Sequence, residues 1–315
     1  MPARKRRGAP RDLVHRFEGN PIISMQDLDF QCLDVRNAGV VRIGGEVLLL
    51  VTIEHLAGTQ CFFLAREGSR GCWHLEPEPF MTPSSEGRFE RHECKGIMDA
   101  RITELEGVYY IFYLAFGETG YRLGLARTSD FKSVERLGLV SEPDTKGGAL
   151  FPERIGGRYA RLERPGEGRS IWVSYSDDLV HWGGHRHVIG PRGGYWDCHW
   201  IGPGAPPLAI DEGWLLVYYG AKQTSAGPIY RLGGVILDRG DPTRVVGRTN
   251  IPLLSPRERY ERLGDLTNIV YSCGALLDAD GTLTVYYGAA DSCICKGTTT
   301  VADVVNRCTA GKETF

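Results

Sequence analysis

The chain has 315 residues, with 37 lysines and arginines against 39 aspartates and glutamates, a formal charge of −2. Hydrophobic residues make up 42% and charged residues 24%, the balance of a folded globular chain, and near-neutrality speaks against a nucleic-acid protein, which usually carries a basic surplus. No run of 18 apolar residues occurs, so no membrane span is expected.

In chain order, the first segment is basic. Arg4, Lys5, Arg6 and Arg7 are followed by no apolar stretch, which argues against a secretory signal and reads as a solvated tail over 1–15. From there, runs rich in β-branched and aromatic residues dominate, and helical periodicity is scarce. They include Val47-Leu48-Leu49-Leu50-Val51, Val108-Tyr109-Tyr110-Ile111-Phe112-Tyr113, Ile171-Trp172-Val173, Trp214-Leu215-Leu216-Val217-Tyr218-Tyr219 and Thr282-Leu283-Thr284-Val285-Tyr286-Tyr287.

A glycine turn followed by a strand recurs at Gly45, Gly107, Gly157, Gly213 and Gly281. The interval is 50 to 68 residues, the beat of an array of similar units. Each unit is long enough for four short strands, the size of a propeller blade. The 41 glycines, about twice the usual share, fit such turn density. Ser129-Asp130-Phe131 and Ser176-Asp177-Asp178 read as acid-led turns, with Phe131 and Trp182 packed between units. The expected fold is all-β: one five-bladed β-propeller over 16–315, with a β-sandwich plus a second domain as the alternative. A propeller gathers side chains at one end of its channel, the natural small-molecule site.

Candidate chemistry follows the same order. Asp99 and Arg101 precede the second glycine-turn strand, and a period of two would turn both to one side. That pairing reads either as a structural ion pair or as a carboxyl group held beside a cation in a sugar or phosphate pocket. Lys146 before Gly147-Gly148, and Arg164 at the end of the third repeated strand, are either solvated cations or flank an anion. Tyr218-Tyr219 and Tyr286-Tyr287 read as blade core, and Asp291 beyond them as projecting into the funnel. His185, His187 and His199 lack an ordered third ligand and read as surface or loop residues. Cys293-x-Cys295 lacks metal-pair spacing, so no metal site is expected. Nine cysteines, an odd number without a signal, read as reduced thiols of a cytoplasmic protein. There is neither a Gly-x-Ser-x-Gly elbow nor a phosphate loop, which argues against serine hydrolases and nucleotide hydrolases.

From about Asn20 to Asp303 the chain resembles glycoside hydrolase family 130, the β-mannoside phosphorylases and mannosidases. The resemblance rests on Arg36-Asn37-Ala38-Gly39, Gly96-Ile97-Met98-Asp99-Ala100-Arg101, Lys146 to Glu153, Arg164-Pro165, Gly202 to Pro207, Tyr230-Arg231-Leu232-Gly233, Asp241-Pro242 and Tyr286 to Asp291, in that order. It implies a five-bladed propeller and an inverting reaction at a β-mannosidic bond. Asp99 matches the catalytic acid. Asn37, Arg66 and Asp291 match mannose-holding positions, and Arg101, in the same motif as the acid, is expected to bind substrate with them. Lys146 and Arg164 match phosphate-site cations.

The chain departs from the family at four places. Met98 and Ala100 replace the usual Glu and Pro around the acid, Tyr219 replaces a phosphate-site His, and Glu163 replaces the His before Arg-Pro. The expectation is phosphorolysis of short manno-oligosaccharides to mannose 1-phosphate, with inorganic phosphate as co-substrate and no cofactor or metal. Loss of two histidines and gain of a carboxylate tilt toward water as nucleophile, so an inverting β-mannosidase is the alternative. A carbohydrate-binding propeller without catalysis is the third reading. The resemblance also makes a homo-oligomer an expectation that no residue pattern carries.

Overall fold

The computed structural model describes residues 12–68, 71–166 and 168–310. The chain is all-β, with four sheets, and helix is confined to Met25–Asp27, Gly87–Glu93, Arg259–Arg262 and Val301–Thr309 among the described residues. No helix of the described residues is long and apolar enough to cross a membrane.

Five antiparallel units follow one another. The first holds Asp34–Ile43, Glu46–Glu54, Gln60–Glu67 and Trp73–Leu75, and the second Gly96–Leu105, Val108–Gly117, Gly120–Thr128 and Glu135–Leu139. These two share an eight-stranded sheet, joined by one parallel pairing of Gln60 with Gly96. Gly96 has φ +134°, and a Cβ there would meet the Gln60 backbone nitrogen at 2.7 Å, so only glycine fits this joint. The third unit holds Lys146–Leu150, Tyr159–Arg164, Ile171–Ser176 and Gly183–Ile189. The fourth holds Trp200–Pro203, Gly213–Thr224, Gly227–Leu237 and Val245–Arg248, with Leu208–Ile210 added. The fifth holds Val270–Leu277, Thr282–Ala289 and Cys293–Thr300, completed by His15–Arg16 and Ile23–Ser24 from the start of the chain.

The five recurrent glycines all have positive φ, and each opens the second strand of its unit. A type of turn that needs left-handed backbone therefore sets the repeat. The acid-led turns act as expected: Asp130 Oδ1 accepts the N–H groups of Lys132 and Ser133, and Asp178 Oδ1 those of Val180 and His181.

Apolar burial lies between units. Leu50, Phe62 and Phe131 join the first unit to the second with Ile97 and Tyr113. Phe112 and Leu125 meet Leu150 and Leu179. Leu162 and Val173 meet Trp214 and Leu216. Leu215 and Ile236 meet Val285 and Tyr287. Val35 and Val51 meet Tyr286 and Ile294, so the fifth unit packs on the first. Each unit buries both faces against its neighbours, which is why its strands read as near-continuous apolar runs.

The expected tail over 1–15 overlaps the folded region. Leu13 and Val14 donate to Leu253 O, Val14 is 2% exposed, and His15 and Arg16 pair with Thr298 and Gly297. The basic cluster Arg4 to Arg7 lies outside the described residues.

Candidate active site

A cavity of about 470 Å³ opens where strands from all five units converge. The first unit contributes Arg36 and Asn37, the second Met98 and Asp99, and the third Lys146 and Arg164. The fourth contributes Tyr219 and Tyr230, and the fifth Tyr271 and Asp291.

Asp99 reaches the cavity through a break in its strand. The pairing register shifts between Met98 and Arg101, and Asp99 has φ +58°. Asn37 sits in a matching bulge between Arg36 and Ala38, with φ +35°. Such bulges re-aim side chains at functional sites. The two side chains meet: Asn37 Nδ2 donates to Asp99 Oδ1 at 2.7 Å. Asn37 Oδ1 has no partner, which leaves a buried acceptor for a hydroxyl donor. Gly288 makes room, since a Cβ there would come within 2.2 Å of that oxygen. The Tyr271 hydroxyl donates to Asp99 Oδ2 at 3.2 Å, and the Asp99 N–H donates to Thr52 Oγ1 at 3.3 Å.

Arg101 does not pair directly with this carboxylate. It is 2% exposed and lies behind the cavity wall. Nε donates to Gly204 O at 2.7 Å and Nη2 to Pro203 O at 3.1 Å. Nη1 donates to Asp99 O at 2.9 Å, and Nη2 also donates to the Tyr271 hydroxyl at 2.8 Å. The strand break undoes the simple period-two pairing. Arg101 therefore reaches Asp99 through Tyr271 and the main chain, and it does not line the cavity as expected of a substrate-binding residue.

Lys146 and Arg164 stand directly opposite each other on adjacent antiparallel strands. Like charges so placed repel, and neither makes an ion pair among the described residues. Arg164 Nε is buried with no hydrogen-bond partner. Lys146 Nζ lies 3.6 Å from the centre of the Tyr121 ring, and burial, with Arg164 adding to it, lowers its pKa. Gly147, with φ +69°, lets the strand bulge between Lys146 and Ala149. Asp99 and Asp144 act on Lys146 from further off, and two cations held face to face without a paired carboxylate suit an anion. Tyr219, 3% exposed, borders it and packs on Tyr271 and Tyr230, with ring centres 4.7 and 5.9 Å away.

Opposite lies an acidic group around Arg36, whose Nη2 contacts Glu54, Asp34 at 3.5 Å and Asp265 at 3.7 Å. Asp291, with φ +50°, completes it. Burial pushes the Asp291 carboxyl up to about 6; Arg36 opposes the rise, and Asp99, Asp265 and Asp34 add to it.

Two further expectations change. Arg66 is not at the cavity: it is an exposed-side residue 3.3 Å from Glu76, near the far end of the Gln60–Glu67 strand. Gln60, at the near end, does line the cavity, and six residues of strand separate the two by roughly 20 Å. Glu163 does not oppose an anion beside Arg164. Strand alternation turns it to the other face, where its carboxylate pairs with Arg161 at 2.7 Å and His185 Nδ1 at 2.9 Å. His187 packs edge-on to Trp172 and His199 contacts Arg169, so all three histidines lie outside the cavity. Among the described residues no group of three or more His, Cys, Asp or Glu side chains is placed to hold a metal.

Tyr271, Tyr121 and Thr52 were not singled out in the sequence, and Arg36 entered only as part of the Arg36-Asn37-Ala38-Gly39 piece. A signal for Tyr271 existed. Asn37, Asp99 and Lys146 all lie on the first strand of a unit, and Tyr271 is the second residue of the fifth unit's first strand.

A carboxyl group, a polar pocket of sugar size and a pair of facing cations are the parts that glycosyl transfer to an anion requires. Residues 62–310 match the glycoside hydrolase 130 family model, described as beta-1,4-mannooligosaccharide phosphorylase. The chain is 30% identical to a beta-1,2-mannobiose phosphorylase of Listeria innocua, over 89% of this chain and 94% of that one. It is 30% identical to a beta-1,4-mannooligosaccharide phosphorylase of Ruminococcus albus, over 94% and 91%. The solved beta-1,2-mannobiose phosphorylase from Listeria innocua, in complex with beta-1,2-mannobiose, matches with a TM-score of 0.86 at 28% identity, over 94% of this chain and 99% of that one. The chain belongs to glycoside hydrolase family 130.

Proposed function

We propose that the chain is an inverting phosphorylase of β-mannosides in short manno-oligosaccharides. The observation that carries this reading is the facing pair Lys146 and Arg164, without a paired carboxylate and partly buried, in the cavity that holds Asp99. Phosphate held there attacks the anomeric carbon as the bond to the leaving oxygen breaks. Asp99 supplies the proton that the leaving oxygen takes up, and the hydroxyl proton that phosphate gives up restores the acid. Attack from the face opposite the leaving group inverts the centre and yields α-mannose 1-phosphate. Asn37, with its free Oδ1, and Asp291 hold sugar hydroxyls, while Tyr271 and Arg101 fix the acid. Tyr219 supplies a hydroxyl beside the anion.

Incubation with β-1,2- and β-1,4-mannobiose in phosphate, followed by phosphorus NMR, tests this. A mannose 1-phosphate signal growing with substrate loss is the expected result, and its absence while mannobiose disappears overturns the reading.

One observation favours water as nucleophile: the carboxyl groups of Asp291 and Asp265 share the cavity with Asp99, and an inverting hydrolase needs a second carboxylate as base. We hold phosphorolysis the better reading, because hydrolysis leaves the facing cations Lys146 and Arg164 without a carboxylate paired to either.

We also infer that the five units are blades of one five-bladed propeller with this cavity at the end of its channel. The five inter-unit clusters, the last joining fifth to first, support it. The nine free cysteines suit a cytoplasmic location.

A further inference from the structure

A second opening, of about 660 Å³, lies between the second and third units, bounded by residues 139–145 and by the Tyr159–Arg164 and Ile171–Ser176 strands. Alternation along one strand separates it from the catalytic cavity. Arg164 turns to the catalytic side, and Arg161 and Glu163 turn to this one. Thr145 and Pro165, which line it, are the chain neighbours of Lys146 and Arg164.

Its polar groups are held in place but incompletely used. Arg161 is 1% exposed. Its Nε donates to Glu163 Oε2 at 2.9 Å, and its guanidinium lies 4.2 Å from the centre of the Trp182 ring. Yet Arg161 Nη1 is buried with no partner, and so is the indole Nε1 of Trp172. Buried donors left unmet are costly, so each points to an acceptor that belongs there. His185 and the Trp182 ring complete the walls.

The chemistry of the occupant follows. It brings acceptor oxygens for two N–H donors. It brings an apolar face, because two indoles line the opening. It needs no charge, because Glu163 already neutralises Arg161. A phosphate ion meets the first condition and fails the other two, whereas a pyranose ring, with hydroxyls at its rim and C–H groups on its faces, meets all three.

We propose that this opening is a second carbohydrate site, which binds a neutral hexose unit of a manno-oligosaccharide outside the catalytic cavity. The choice of mannose rests on the proposed function; the existence of a sugar site does not. Its place beside the chain neighbours of Lys146 and Arg164 suits it to hold longer oligosaccharides near the reaction.

The test uses the full chain carrying Asp99→Asn, without phosphate, titrated with β-1,2-mannotriose by calorimetry and tryptophan fluorescence. Trp172 and Trp182 line this opening, and no tryptophan of the described residues lines the catalytic cavity. Two binding events are expected, one quenching fluorescence. Adding Trp172→Phe, which keeps an aromatic ring and removes the indole N–H, or His185→Ala, removes that event from the calorimetric titration and leaves the other. Either single variant in the otherwise wild-type chain keeps kcat and KM for mannobiose within about twofold, since neither residue touches the catalytic cavity. A single binding event, or two events unchanged by both variants, overturns the proposal. So does quenching by inorganic phosphate but not by mannotriose, which assigns the opening to an anion. Turnover of β-mannosides by the wild-type chain is measured alongside. Turnover with one binding event rejects only the second site, and no turnover with or without phosphate rejects the proposed function.

Discussion

At the scale of single residues, the site is built from strained positions. Asn37, Asp99 and Asp291 all have positive φ without being glycine, a conformation that costs of order 1–3 kcal/mol each and persists where the surroundings impose it. Sequence patterns register such positions poorly, because an aspartate in a left-handed turn and one in a regular strand look alike. Asp99 was nonetheless legible through the Gly96 to Arg101 motif, whereas its contact with Tyr271, 172 residues away, left only the faint signal that both lie on the first strand of a unit. If Asp99 is the acid, Asp99→Asn lowers kcat for mannobiose phosphorolysis by roughly 10²–10⁴-fold, and wild-type turnover by that variant refutes the role. Asp291 carries a pH signature. Its carboxyl rises from the ordinary 3.8 to about 6 in the folded chain, so the fold binds a proton that the unfolded chain has released. That contribution is complete below about pH 4 and is lost as pH climbs through 6. Relative to wild type, Asp291→Asn therefore gains stability from pH 4 to pH 7, by about 2–3 kcal/mol. Urea titrations of both proteins at four pH values measure it, and a flat difference contradicts the assignment.

At the scale of the strand, alternation decides what a substitution means. Glu163 and Arg164 are consecutive, yet they serve different cavities. A reading by sequence places Glu163 in the anion site because it stands next to Arg164. Period-two geometry sends it to Arg161 instead. Distance along the strand, rather than alternation, excludes Arg66, which lies on the right strand but at its wrong end. Motif order was thus a good guide to which strand carries the site and a poor guide to which end and face. The two neighbours should respond oppositely. Arg164→Ala raises KM for phosphate at least tenfold with little loss of stability. Glu163→Ala strands a buried guanidinium and costs about 3–5 kcal/mol, while KM for phosphate stays within about twofold below the unfolding transition. Steady-state kinetics with phosphate varied, beside thermal denaturation, separate the two. Equal KM effects contradict the assignment of faces.

At the scale of the molecule, glycine turns at a steady beat made the five units legible, since each marks the second strand of a unit. The joins between units were not legible. The first two share a sheet through Gln60 and Gly96, and the fifth is completed by residues from the start of the chain, both products of contacts far apart in sequence. Arg16 is central to that last join: it binds Glu261, which is fully buried, at 2.7 Å, and Asp12 at 2.9 Å. Arg16→Ala leaves Glu261 without its cation and is expected to cost about 3 kcal/mol in urea denaturation; an unchanged midpoint contradicts the role of this strand in holding the fold. All five units send side chains to one cavity, and in it Lys146 and Arg164 face each other across adjacent strands. The most direct test is the rate at which the wild-type chain consumes β-mannobiose as phosphate is titrated from zero. The rate should be near zero without phosphate and rise to saturation, with one mannose 1-phosphate formed per bond cleaved. Release of free mannose at an undiminished rate without phosphate would contradict phosphorolysis.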